Sequence, residues 1–241
     1  MITSFCANES KKSPHVKWYT NHKPLIRSMQ MDTETLAIYN QAKQKVGTAT
    51  RKTTHEKGLW HETFHCWIVD DSQTEPYIYL QRRSAHKKDF PSLFDITAAG
   101  HLLAGETAED GVREVKEELG IDIPFADLDF LGQFRCMPKH RDIYDYEFAF
   151  TYVYRQHIPF EQFQLQEEEV AGMVRVPFPA FYQLCFGTVE AIESNGFVEE
   201  GKIRRPYCER VTLNDLVPHQ QRFLQLVAIS IDQLLKNERP R

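Results

Sequence analysis

Three carboxylates at Glu114, Glu117 and Glu118 stand at i, i+3 and i+4, so on a helix they share one face. Such a face repels itself unless something positive meets it. Arg113 lies one turn from Glu117 and can pair with it, but one guanidinium cannot neutralise three acids. The oxygen-only donor set suits a hard divalent cation, Mg²⁺ or Mn²⁺. A plain solvated acidic face is the alternative. The flanking residues predict the helix. Thr107 followed by Asp110 has the form of an N-cap with an acidic N3 residue, placing the start at about Ala108, and Gly120 ends it. Ala108, Val112, Val115 and Leu119 form an apolar stripe on a different face, directed at a core.

The same stretch resembles a known family. Gly100, Glu106, Arg113, Glu114, Val115, Glu117, Glu118, Gly120 and Ile121 are similar to the Nudix box, whose pattern is G, five residues, E, seven residues, then REUxEExGU with U aliphatic. Between Glu106 and Arg113 this chain has only Thr107 to Val112, one residue fewer, a deletion at the helix entrance that bears on Glu106 and spares the three carboxylates. The resemblance implies an α/β fold, a Nudix α/β/α sandwich around a mixed β-sheet, and hydrolysis of a diphosphate joined to a group X. It also implies Mg²⁺ or Mn²⁺ on Glu114, Glu117 and Glu118, with Arg113 orienting them and the Gly100 turn admitting the diphosphate close to backbone. The base that deprotonates water stays open among Glu114, Glu147 and Glu168.

The remaining elements must position this segment. Glu34 to Asn40 and Gln41 to Arg51 read as strand, turn, strand, with Gly47 near a bend. His61 to Val69 places Phe64, Cys66 and Ile68 on one face and His65, Trp67 and Val69 on the other, a strand covered on both sides. Tyr77 to Arg82 returns as its hairpin partner. The loop that follows carries Arg82, Arg83, His86, Lys87 and Lys88, either a solvated connection or a set of cations for phosphates the metal does not reach. Asp129 to Met137 and Tyr144 to Tyr154 read as strands. Glu147 interrupts the second, as an outward-facing edge residue or as an extra metal ligand. Glu167, Glu168 and Glu169 precede a further strand, Met173 to Val176. From Pro179 the pattern is helical, through Phe181 to Phe186 and Val217 to Leu235. Residues 1–31 are basic and aperiodic and read as a disordered tail, with Met31 a candidate native start; residues 32–241 form the domain, its C-terminal helices beginning near 179.

A second resemblance extends past the box. His61 to Phe64, Leu80 to Arg83 and Ala99-Gly100-His101 look like segments of type I isopentenyl-diphosphate isomerase, a Nudix-fold enzyme. That likeness implies metal ligands at His61, His101 and His55 and an acid at Glu147. The isomerase's catalytic cysteine is matched by Ala99, and a methyl group shuttles no proton. The resemblance therefore favours a hydrolase, with an isomerase or a non-catalytic diphosphate sensor as the rivals.

Composition narrows the partners. A net charge of −5 and a pI near 6.1 argue against a nucleic-acid binder, and no apolar run has the length of a membrane span. Five scattered cysteines without a CxxC pair fit a reducing cytoplasm. The expected partner is a small-molecule diphosphate, with Trp60, Phe90 and Tyr144 as aromatics able to stack on a base but more simply explained as packing, and a homodimer as the family's common state.

Overall fold

The computed structural model describes residues 33–140, 143–201 and 203–237. The expectations about the basic tail and Met31 lie outside them.

Strand β3 (Trp60–Asp70) organises the sheet, and its alternation is the reason. Phe64, Cys66 and Ile68 enter one buried cluster while Trp67 and Val69 enter another, so the strand is sandwiched. Along one edge it pairs in parallel with β10 (Tyr146–Arg155), from Trp60 opposite Tyr146 to Val69 opposite Arg155. Its other edge meets three antiparallel neighbours in succession: β1 (Thr35–Tyr39) at Trp60, β6 (Ala98–His101) at Thr63 to Cys66, and β4 (Tyr77–Arg83) at Ile68 to Asp70. Strand β2 (Lys45–Thr50) pairs with β1, β5 (Phe94–Asp95) with β4, and β7 (Leu128–Cys136) with β10. Two short strands, β8 (Lys139–His140) and β9 (Ile143–Tyr144), pair with each other just before β10. Strand β11 (Val170–Pro177) lies on the far side of β4.

Helices cover both faces. Helix α1 (Arg51–Lys57), capped by the Thr50 hydroxyl, occupies a stretch that reads from sequence as a polar link. The acidic helix α2 (Arg113–Leu119) packs Val115 and Leu119 on Phe64 and Ile68. Helices α3 (Phe178–Cys185) and α4 (Gln221–Asn237) press Phe181, Leu184, Val227 and Ile231 against Trp67 and Val69. The result is the expected α/β/α sandwich around a mixed sheet with C-terminal helices. No helix among the described residues is long and apolar enough to cross a membrane.

Two expectations need correction. The acidic helix does not begin at Ala108: residues Asp110–Val112 form a 3₁₀ turn and the α-helix proper starts at Arg113. A 3₁₀ turn advances about 2.0 Å per residue against about 1.5 Å in an α-helix, so tighter winding spans the entrance with one residue fewer. The Asp110 carboxylate anchors it by accepting both the Thr107 N–H and its hydroxyl at 2.8 Å. The C-terminal part is also not purely helical. Strands β12 (Ala191–Glu193), β13 (Asn195–Glu200), β14 (Ile203–Tyr207) and β15 (Arg210–Thr212) separate α3 from α4; β13 and β14 extend the main sheet beyond β11, and β12 pairs with β15.

Candidate active site

The C-terminal end of β6 and the start of α2 are pressed together. A Cβ on Gly100 would lie 2.1 Å from Cδ of Glu114, so only glycine lets the strand approach that carboxylate. Arg113 fastens the arrangement. Its Nε and Nη2 donate to the two oxygens of Glu106 at 3.0 and 3.1 Å, Nη1 donates to Glu114 at 2.6 Å, and Nη2 also reaches the His101 carbonyl at 3.1 Å. Glu117 lies 3.5 Å from Nη1. Glu118 is buried and accepts from Gln81 Nε2 and the Ala99 N–H, both at 3.3 Å.

These carboxylates are crowded without a matching number of cations. Burial pushes Glu114 up to about 7 against the pull of Arg113, with Glu117 adding to the rise. Burial and the neighbouring Glu114 hold Glu118 well above the ordinary range. Glu169, in the turn before β11, is held below it because Lys87 pairs with it and outweighs its burial. Such a group of oxygens suits hard divalent cations.

Beside them sits a second donor set. His55 from α1, His61 from β3, His101 from β6 and Asp145 just before β10 bring one ligand atom each to within 4.8 Å of one another. Nε2 of His61 is 3.2 Å from Asp145 Oδ1, and Nε2 of His55 is 3.1 Å from that of His101. The His61 ring is oriented by Nδ1, 3.0 Å from the Leu59 carbonyl, which leaves Nε2 for the cluster. Nε2 of His61 and Oδ1 of Asp145 are buried and meet each other as an ion pair with no further polar partner in hydrogen-bond geometry, an arrangement that suits a bound ion. Burial opposes charge on His61, but Asp145 raises its pKa; burial together with Arg51 and the other imidazoles keeps His101 well below its ordinary value. Three imidazoles and one carboxylate suit a transition ion better than Mg²⁺.

Both sets border one cavity of about 170 Å³. Of the residues expected at the site, it is lined by Arg113, Glu114, Glu117, Glu118, Gly100, His101, Arg83, Lys87 and Glu147. Glu147 is buried in β10 between β3 and β7, not on an outward edge, and burial lifts its pKa well above the carboxylate range, with Asp145 adding to the effect. Four expectations fall elsewhere. Glu106 serves Arg113 and the Leu103 N–H rather than the cavity. Arg82 turns away to lie 5.1 Å from the Tyr207 ring. Lys88 and Glu168 are not on the wall, and the turn presents Glu169 instead of Glu168. His61 stands behind the wall in the histidine set, the grouping that the isomerase likeness implies for it. Among the aromatics Phe90 lines the cavity, whereas Trp60 stacks on Phe148 at 4.7 Å and Tyr144 packs edge-on to Tyr146.

Asp145, Arg51, His65, Asp95 and His219 were not legible as site residues, and of the Glu167 to Glu169 run the sequence did not single out Glu169. A signal existed for Asp145, which is two residues from Glu147 and so on the same strand face. His219, preceding α4 and beyond every motif, offered none.

A model of the NUDIX domain matches residues 59–190. The chain belongs to the Nudix family. It is 33% identical over 198 residues to an uncharacterized Nudix hydrolase of Clostridium acetobutylicum, covering 82% of this chain and 96% of that one. To an isopentenyl-diphosphate Delta-isomerase of Mycolicibacterium vanbaalenii it is 34% identical over 97 residues, or 39% of this chain and 52% of the other. A Deinococcus radiodurans crystal structure superposes with a TM-score of 0.50 at 19% identity, over 64% of this chain and 90% of that one, a likeness of fold. This Nudix protein is thus a Nudix-type hydrolase, in a family that generally uses divalent metals such as Mg²⁺ or Mn²⁺.

Proposed function

We propose that this Nudix hydrolase cleaves a diphosphate linkage in a nucleoside diphosphate derivative or a related diphosphate compound, with Mg²⁺ or Mn²⁺ held by Glu114, Glu117 and Glu118. The observation that carries the reading is the meeting of Glu114, Glu118 and Glu169 in one cavity with Arg51, Arg83 and Lys87. Acids for cations and cations for phosphate face the same space. The bound ions would neutralise phosphate charge and lower the pKa of a water. Arg113 keeps Glu114 in place through its grip on Glu106, and β6 offers backbone at Gly100 for close approach of the diphosphate. Glu169, Glu114 and Glu147 line the cavity as candidate proton acceptors, and Glu169 takes the place expected of Glu168.

The histidine set favours a second reading, an isomerase-type reaction at a transition ion. Against it, no cysteine among the described residues lines the cavity. Cys66, Cys136 and Cys185 are buried elsewhere, and burial pushes the Cys66 thiol up to about 12.

Phosphate released by a coupled phosphatase from the phosphomonoester products of nucleoside diphosphate derivatives and other diphosphates, with Mg²⁺ and with Mn²⁺, tests both readings when isopentenyl diphosphate is included and its products are identified. Metal-dependent cleavage is expected, and Glu118→Gln should lower kcat/KM by about 10²–10³-fold. A folded Glu118→Gln protein with near-normal rate would remove the carboxylate from its role. Conversion of isopentenyl to dimethylallyl diphosphate without hydrolysis would establish the second reading.

A further inference from the structure

Part of the cavity wall is unused by the hydrolytic reading. Thr63 and His65 come from β3, Asp95 from β5, and Val217 and His219 from the segment leading into α4. That segment lies beyond residues 59–190, so the wall is completed by a part of the chain outside the shared domain. It is tied in firmly. The Val217 N–H donates to the Phe94 carbonyl at 2.8 Å, Leu216 bridges Phe94 in parallel, and His219 Nε2 donates to Asp95 Oδ1 at 2.7 Å. Asp95 also accepts from Arg83 Nη1 and the Ile96 N–H, each at 2.8 Å, so the carboxylate that aims the imidazole is itself fixed.

The two histidines share an unmet need. With Nε2 of His219 committed to Asp95, its Nδ1 is buried and has no hydrogen-bond partner; Nδ1 of His65 is in the same condition. Both rings rest on Phe223, at centroid distances of 5.5 and 5.8 Å. Buried polar atoms in native proteins are nearly always satisfied, and a ligand is one source of the missing partner. The space is also small for a nucleoside: about 170 Å³ against the roughly 300–1,000 Å³ usual for ligand pockets. Phe90 is the one Phe, Tyr or Trp on the wall among the described residues.

We propose that this wall recognises the group X, and that X is a small organic group carrying a hydroxyl, which His219 and His65 bind while the diphosphate occupies the acidic and cationic part of the cavity. With Nε2–H of His219 donated to Asp95, its Nδ1 accepts in the neutral ring, and a hydroxyl, which both donates and accepts, serves that atom and either tautomer of His65. The inference rests on the hydrolytic reading and narrows it: X is neither a plain hydrocarbon nor a purine or pyrimidine nucleoside.

The test measures kcat/KM with Mn²⁺ for three diphosphate esters: a short alkyl group bearing one free hydroxyl, the same alkyl group without it, and a nucleoside. Sites that hydrogen-bond a substrate hydroxyl discriminate strongly against its absence, so the wild type should prefer the hydroxylated ester over the alkyl one by at least about 100-fold. His219→Leu should collapse that ratio to below about tenfold, and His219→Gln, whose amide still reaches Asp95, should retain more of it. A wall that only supports the fold would lower both rates together and leave the ratio unchanged; that result overturns the inference, as does a wild type that cleaves all three equally or prefers the nucleoside. Absence of cleavage of any diphosphate ester by folded protein overturns the hydrolytic reading itself and this inference with it.

Discussion

Gly100 and Asp95 show how single residues govern the cavity from opposite sides. A methyl group at Gly100 would meet the far end of the Glu114 side chain, which can swing away without unpacking the core. Gly100→Ala should therefore unfold within about 1 kcal/mol of the wild type while losing about 10²-fold or more in kcat/KM, because a misplaced carboxylate forfeits its role. Denaturant titration alongside the phosphate-release assay checks this; a parallel loss of both would mean that the contact is merely structural. Asp95 behaves differently. Its buried carboxylate opposes its own burial, yet His219 and Arg83 hold its pKa well below the usual range. Asp95→Asn keeps one acceptor oxygen but replaces the other with a donor and removes the charge that offsets Arg83, and should cost about 3–5 kcal/mol at neutral pH. Because the native pKa is depressed, the folded state binds fewer protons than the unfolded one as acid is added. The wild type's advantage should therefore be full above about pH 4 and shrink below it. A stability difference independent of pH between 3 and 7 would rule out this electrostatic origin. The acids of α2 were legible because a helix converts their spacing into a shared face. Asp95 and His219 were not, since 124 positions separate them and only the folded chain brings them together.

The approach of α2 to β3 decides whether the acidic face is presented at all. Gly111 sits in the 3₁₀ turn, where an added Cβ would lie 2.6 Å from Cβ of Phe64 and 2.8 Å from Leu102. Neither neighbour can yield, since both are buried core residues. Gly111→Ala should cost about 1–3 kcal/mol through overpacking, read as a lower denaturation midpoint with an unchanged m-value; an unaltered midpoint would show that the turn can shift freely. Sequence periodicity found α2, β3, β4, β7, β10 and β11, because each buries at least one face and so carries a pattern. Strand β14 escaped because Ile203 to Arg205 are exposed and Pro206 is no strand former, leaving no alternation to read. Helix α1 escaped because its seven residues are polar and bury only Thr54 and His55.

For the molecule as a whole, the packing of α4 predicts that the matched span of residues 59–190 does not suffice as a folding unit. Helix α4 buries Phe223, Leu224, Val227, Ala228, Ile231 and Leu235 against the same cluster that holds Trp67 and Phe181. At about 1.5–3 kcal/mol for each large apolar side chain, its removal forfeits on the order of 10 kcal/mol, comparable to the whole stability of a typical domain. Truncation after Thr212 should yield a chain without a cooperative thermal transition; a sharp transition near that of the full-length protein would show that the helix is dispensable.

The parallel pairing of β3 with β10 sets when the site can come into being. His61 and Glu147 are direct partners across that pairing although 86 positions apart, and His65 lies opposite Thr151 on the same two strands. Closing so long a loop is among the slower events for a chain this size. Ion capture by the complete set of histidines and acids therefore cannot precede this long-range pairing, and so cannot seed it.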